Sequence, residues 1–339
     1  MSVTTAAPRV APASSGAPFL ACVAPDLAAV EARLRAEIGS EVERVCALSG
    51  HVLSAGGKRL RPALVALCAR AVHPDPDAER IVLVSASVEL VHMATLVHDD
   101  VVDNTTLRRG QPTANAVFGN GAAVLVGDFL LARAMQILSL DGDLSVMRTV
   151  ADVTIEMSEG EVMEILATGD ATITFERYID ILQKKTAAFV MGCCRCGALI
   201  GGATEEQRSS LSEYGRHVGL AFQIADDLLD YTGDPEITGK PIGSDLRDGR
   251  ATLPVLLALD EARAVDRDRI LAAFGNAALD DRSLAGVAAI LARYDAFDRT
   301  REVALAHVRD AARAVDWLPA SPVRDALLAL ADYVVNRDR

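Results

Sequence analysis

Residues His92 to Gly110 read HMATLVHDDVVDNTTLRRG, and the rest of the chain is organised around this stretch. Its centre is Asp99, Asp100 and Asp103. On a helix, residues four apart share a face and lie about 6 Å apart along the axis. Asp99 and Asp103 therefore point the same way, with Asp100 beside that face. Three carboxylates within five residues repel one another and need compensation. A hard divalent cation supplies it, because Mg²⁺ takes oxygen ligands and is held by one or two carboxylates together with substrate phosphates. The competing reading is a solvated acidic face. The run before the acids (Val88, Leu90, Val91, Met93, Ala94, Leu96, Val97) is apolar, so the acids end a largely buried helix. Arg108, Arg109, Gly110 and Pro112 follow as a basic loop. Acids and paired arginines at the mouth of an apolar segment suit a ligand that is both anionic and greasy.

The chain has 339 residues, half of them apolar, which is enough for one large domain with a substantial core. Its 34 Lys plus Arg against 47 Asp plus Glu give a net charge of −13, a surface unsuited to nucleic acid or anionic membrane. An anionic substrate must then be captured by local basic clusters or by metal. The six cysteines are too sparse for a disulfide scaffold, and the lone Cys193–Cys196 pair lacks the second ligand pair that zinc needs. Residues 1–24 form an Ala/Pro/Ser-rich tail expected to be disordered, without the features of a signal peptide. The most apolar stretches are interrupted by Asp128, Arg133 or Arg195, so no transmembrane helix is expected.

From residue 25 onward the pattern is helical almost throughout. Leu27, Val30, Leu34, Ile38, Val42 and Val45 set the period of the first segment. GGKRLRP, Gly56 to Pro62, is a flexible basic turn entering the next apolar helix, a place where amides and cations suit a phosphate. It is not a P-loop, because the GxxxxGK[ST] spacing is missing. Residues 78–102 carry the first acids, and residues 115–140 continue with Gly119, Gly121 and Gly127 allowing close packing. Residues 146–168 hold Glu156, Glu159, Glu161 and Glu164 on a partly exposed helix, and residues 175–200 hold Tyr178, Lys184, Lys185 and Thr186. Alternating β-branched runs are few, so the fold class is all-α: a single helical bundle, residues 25–339.

A second cluster, FQIADDLLD from Phe222 to Asp230, decides the case. Asp226, Asp227 and Asp230 repeat the spacing of Asp99, Asp100 and Asp103 at the end of another apolar helix, 127 residues later. DPEITGKPIGSDLRDG then supplies Lys240 and Asp245 in a Gly-rich loop. Two solvated faces would not share one acid pattern, one apolar approach and one basic loop. Two facing clusters could hold several Mg²⁺ ions bridged by a diphosphate.

Taken together, GGKRLRP, HDDVVDNTTLRRG, the pair Lys185–Thr186, FQIADDLLD and GKPIGSDL resemble the trans-isoprenyl diphosphate synthases, the polyprenyl synthetase family. The resemblance covers nearly the whole chain from about residue 25. It implies an all-α bundle of the isoprenoid synthase type around a deep apolar cavity. It implies head-to-tail addition of isopentenyl diphosphate to an allylic diphosphate, with several Mg²⁺ ions per site bridged by substrate diphosphate. Asp99, Asp103 and Asp226 would be direct metal ligands, with Asp100, Asp227 and Asp230 supporting them. Lys58, Arg61, His92 and Arg109 would hold isopentenyl diphosphate. Arg108, Lys185, Thr186, Gln223 and Lys240 would hold the allylic diphosphate, Lys185 being preferred to Lys184.

The mechanism implied is ionisation of the allylic C–O bond, attack by the isopentenyl double bond, and loss of a proton to the released diphosphate, so that no protein general base is needed. Val91, Ala94 and Thr95 precede the first acids on the helix expected to line the tunnel. Their modest size, with the VHMATLVHDDVVD context, is similar to that of the long-chain quinone side-chain synthases, which implies a product of hexaprenyl to decaprenyl length. The alternatives are a farnesyl or geranylgeranyl diphosphate synthase, a class I terpene cyclase or squalene-type synthase, and a non-catalytic partner subunit. GGKRLRP counts against the second, and six intact aspartates against the third. The family also implies a cytoplasmic homodimer that meets membrane only transiently, to release product.

Overall fold

The computed structural model describes residues 18–108, 110–233 and 242–336. Chain order is α1 (Ala24–Glu37), α2 (Glu43–Ser54), α3 (Leu60–Val72), α4 (Ala78–Val102), α5 (Ala114–Phe118), α6 (Asn120–Asp141), α7 (Leu144–Ala167), α8 (Phe175–Leu182), α9 (Ala188–Ile200), α10 (Glu205–Thr232), α11 (Ser244–Asp248), α12 (Leu253–Glu261), α13 (Ala264–Ala273), α14 (Asp281–Arg293), α15 (Ala296–Ala314) and α16 (Pro322–Tyr333). The only strands among the described residues are Leu107–Arg108 and Gln111–Pro112, an antiparallel pair that closes the loop after the first acids.

The bundle is built on α4 and α10. Helix α4 starts where the Asp77 carboxylate accepts from the backbone N–H of Glu79 and Arg80, at 3.0 and 3.1 Å. Its residues from Ile81 to Val97 are apolar on nearly every side, and it packs against α6, α1 and α3. Helix α10 starts with a capping box, Thr204 with Gln207. It is amphipathic and lies between α9 and α15. One large apolar core runs from Leu20 through α3, α4, α6 and α9 to α16, and smaller clusters surround α12 to α15.

Two sequence expectations are corrected. The ordered chain begins earlier than residue 25: Pro18–Val23 form a 3₁₀ turn with Leu20 and Val23 buried against the core. Of the glycines expected to permit packing, Gly127 does so, since a Cβ there would fall 2.2 Å from His98 Nε2 on α4, whereas Gly121 faces nothing within 4 Å. Gly119 instead breaks the helix, at φ +85°, between α5 and α6. Helices α4 and α6 each hold an 18-residue window long and apolar enough to cross a membrane by length and composition alone; 72% of the first window and 39% of the second is buried inside the protein.

Candidate active site

Along α4, Glu89, His92, Leu96, Asp99 and Asp103 recur at intervals of three and four and line one wall of a cavity of about 810 Å³. The opposite wall is the end of α10: Phe222, Gln223, Asp226, Asp227, Leu229 and Asp230. Both sets of acids therefore sit in the last turns of their helices, where the helix dipole already presents partial negative charge. The arrangement is electrostatically unfavourable in the bare protein. Burial, then Glu161, pushes the Asp99 carboxyl up to about 7 against the pull of Lys185 and Arg108. Burial likewise pushes Asp227 up to about 7, although Gln223 and Tyr178 donate hydrogen bonds to it. A hard cation among these oxygens would remove the conflict, so the donor set fits Mg²⁺.

The acids differ in how they are held. Asp99, Asp103, Asp226, Asp227 and Asp230 all line the cavity. Asp100 turns away: it is 5% exposed, and the Arg108 guanidinium donates to it at 2.8 Å. Asp227 accepts from Tyr178 Oη at 2.8 Å and Gln223 Nε2 at 3.0 Å, and Gln223 in turn accepts from Thr186 Oγ1 at 3.0 Å. Asp230 caps α11, accepting from Ser244 N–H and Oγ and from Asp245 N–H at 3.1, 2.6 and 3.1 Å. These three are thus tied by hydrogen bonds into the turns that carry the acids.

The basic residues lie around the same opening. Between Gly56 and Leu60 the chain takes left-handed conformations at Gly56 (φ 70°) and Arg59 (φ 51°). Arg59 holds its conformation by pairing with Glu31 and Glu89 at 3.1 and 2.7 Å. Lys58 and Arg61 consequently face the cavity, Lys58 over the Tyr333 ring and Arg61 over Phe189. Burial lowers the Arg61 pKa, with Glu89 opposing the shift, and Arg61 Nε is buried without a partner.

Lys185 belongs to a π-helical segment, Gln183–Ala187, that interrupts α8 and α9. It pairs with Glu161 at 2.9 Å and with Glu164 more closely. Burial pulls its pKa down, but these two acids more than offset that and raise it. Lys184 points outward to Glu159 and does not line the cavity.

Arg109 and Lys240 fall outside the described residues. Val91 and Ala94 are 0% and 2% exposed in the α4 core and, with half-buried Thr95, do not line the cavity; Leu96 does, because it falls on the His92–Asp99 stripe. Sequence reasoning missed Glu164, Tyr178 and Arg250 as site residues. Arg250 lies 3.6 Å from Asp103, 3.8 Å from Asp245 and 3.2 Å from Asp248, bridging the first acid cluster to the loop beyond the second. Nothing in DGRATLP marks it out, since the pairing is tertiary. Cys68, Cys193, Cys194 and Cys196 are buried free thiols, and burial pushes Cys193 up to about 12.

Acidic rims for a cation, a basic fringe for diphosphate and an apolar chamber below define an all-α enzyme for prenyl diphosphates. The chain belongs to the polyprenyl synthetase family, whose model matches residues 42–291, and is a prenyltransferase. It is 39% identical over 318 residues to an octaprenyl diphosphate synthase of Escherichia coli (strain K12), covering 93% of this chain and 97% of that one. It is 36% identical over 301 residues to a short chain isoprenyl diphosphate synthase of Methanothermobacter thermautotrophicus, covering 87% and 91%. A crystal structure of a polyprenyl synthase from Caulobacter crescentus, complexed with calcium and isoprenyl diphosphate, superposes with a TM-score of 0.91 at 34% identity, over 97% of this chain and 100% of that one.

Proposed function

We propose that the protein adds isopentenyl diphosphate head-to-tail, in repeated cycles and with Mg²⁺, to an allylic diphosphate, making an all-trans polyprenyl diphosphate of hexaprenyl to decaprenyl length. The observation that carries this reading is the convergence of Asp99, Asp103 and Asp226, from two helix ends, on one cavity also lined by Leu96, Ile181, Leu182 and Phe222. Mg²⁺ bound there would neutralise the departing diphosphate and lower the barrier to C–O cleavage. Lys58, Arg61 and His92 hold isopentenyl diphosphate. Arg108, Lys185 and Gln223 hold the allylic diphosphate, with Thr186 orienting Gln223. Leu96, Ile181, Leu182 and Phe222 keep water from the carbocation. Arg109 and Lys240 join these groups by the family pattern.

A long product is supported by the absence of Phe, Tyr or Trp along α4 and by the 39% identity to an octaprenyl diphosphate synthase. We place the enzyme in the cytoplasm as a homodimer that touches membrane only to release product. The half-exposed apolar face of α6, with Leu125 69% exposed, and neighbouring α7, with Leu144 and Leu166 exposed, supports the dimer.

The test is product sizing by mass spectrometry after incubation with Mg²⁺, isopentenyl diphosphate and geranyl, farnesyl or geranylgeranyl diphosphate in turn. Products of hexaprenyl length or longer are expected. Farnesyl or geranylgeranyl products from the wild type would overturn the chain length while leaving the enzyme class.

A further inference from the structure

On the side of α10 away from the cavity, His217 meets His307 and Asp310 of α15. Their ligand atoms all lie within 4.8 Å of one another, on half-buried residues. Nine residues, two and a half turns, separate His217 from Asp226, which puts the two on opposite faces of α10. None of the three residues lines the catalytic cavity. His307 and Asp310 are three apart and share one face of α15.

The hydrogen bonding defines the present state. The Arg216 guanidinium donates to His217 Nε2 at 2.9 Å, so Nδ1 carries the proton and donates to His307 Nδ1 at 2.9 Å. Two imidazole nitrogens thus share a single proton at the junction of two packed helices, with an Asp310 oxygen 4.0 Å from His217 Nδ1. Arg216 also pairs with Glu213, and Arg313 pairs with Asp310. Burial, then the neighbouring imidazole and Arg216, pushes His307 down to about 4; burial, then Arg216, also lowers His217. Both rings are therefore neutral near pH 7, the form that ligates metal.

We propose that His217 Nδ1, His307 Nδ1 and Asp310 form a second metal site, for a transition ion of the zinc or cobalt class, that clamps α10 to α15. Two imidazoles and one carboxylate suit such ions and not Mg²⁺. On binding, the proton between the rings leaves His217 Nδ1 and Nε2 takes one up. Nε2–H then faces Glu213 Oε2, now 3.8 Å away, while Arg216 swings aside and Arg313 yields Asp310 to the ion. The two Nδ1 atoms open from 2.9 Å to about 3.4 Å, the separation that bonds of about 2.1 Å impose on a tetrahedral ion. Water completes the coordination, since three protein ligands leave a position open.

The full-length protein, stripped with a chelator and kept in excess Mg²⁺ to occupy the aspartates, is titrated with Co²⁺ and followed by visible absorption. One equivalent with the spectrum of nitrogen-ligated cobalt is expected. His307→Asn and, separately, the half-exposed Asp310→Asn should each weaken binding at least about tenfold, with circular dichroism confirming that both variants are folded. Asp226→Asn should leave the spectrum unchanged. No Co²⁺ uptake by the wild type, or uptake that survives His217→Asn with His307→Asn, would overturn the site.

Discussion

A carboxylate in the last turn of a helix meets the negative end of the dipole, and Asp99 and Asp230 both occupy such places beside further carboxylates. The six aspartates are legible as a repeated spacing because the requirement they meet is local. Their division of labour is not. Asp100 turns to Arg108, and Asp230 caps α11, through partners that only the folded chain brings near. Arg250 escapes for the same reason. Gly160 shows how tightly one residue can be specified: a Cβ there would lie 2.4 Å from the backbone nitrogen of Lys185. Gly160→Ala must displace that backbone, at about 1–3 kcal/mol of stability, and carry Lys185 with it. Steady-state kinetics beside thermal melting should show a lower Tm and a loss in kcat of up to about a hundredfold, as a misplaced contact of about 1 Å can cause. Unchanged kcat would mean that Lys185 does not depend on this contact.

Among the elements, α4 was readable from end to end, Ala78 to Val102, because an apolar run bounded by an Asp77 cap and a polar loop admits little else. Breaks set by a single turn were less readable. Residues 25–52 look like one periodic stretch but divide near Gly39, and the π-helical turn at Gln183–Ala187 leaves no mark in hydrophobic period. Tunnel-wall positions counted back from Asp99 likewise needed the real rotation of α4, which turns Leu96 to the cavity and buries Ala94. Helix α6 carries a prediction of its own. With Leu125 exposed near its start and Leu140 at its end, it has an apolar side that the other described residues leave uncovered. Sedimentation should give twice the chain mass, and Leu125→Glu should shift it toward the single chain; a wild-type monomer would remove the dimer.

At the scale of the whole molecule, fold and chemistry are one construction. The bundle sets two acid-bearing helix ends on one cavity whose wall also carries apolar Leu96, Ile181, Leu182 and Phe222. The overall field, at −13, works against an anionic substrate, and the local cations and metal must overcome it. That division was legible in sequence as two acidic and two basic motifs attached to apolar helices. The facing of the motifs across one cavity was not, because it depends on α4 and α10 packing in the same bundle. The most direct test is the Mg²⁺ dependence of isopentenyl transfer to an allylic diphosphate by the wild type, Asp99→Asn and Asp226→Asn, with melting curves alongside. Transfer should require a divalent cation and fall at least about a hundredfold in each variant with the fold retained. Transfer that persists without divalent metal, or in a folded Asp226→Asn protein at the wild-type rate, would contradict the account.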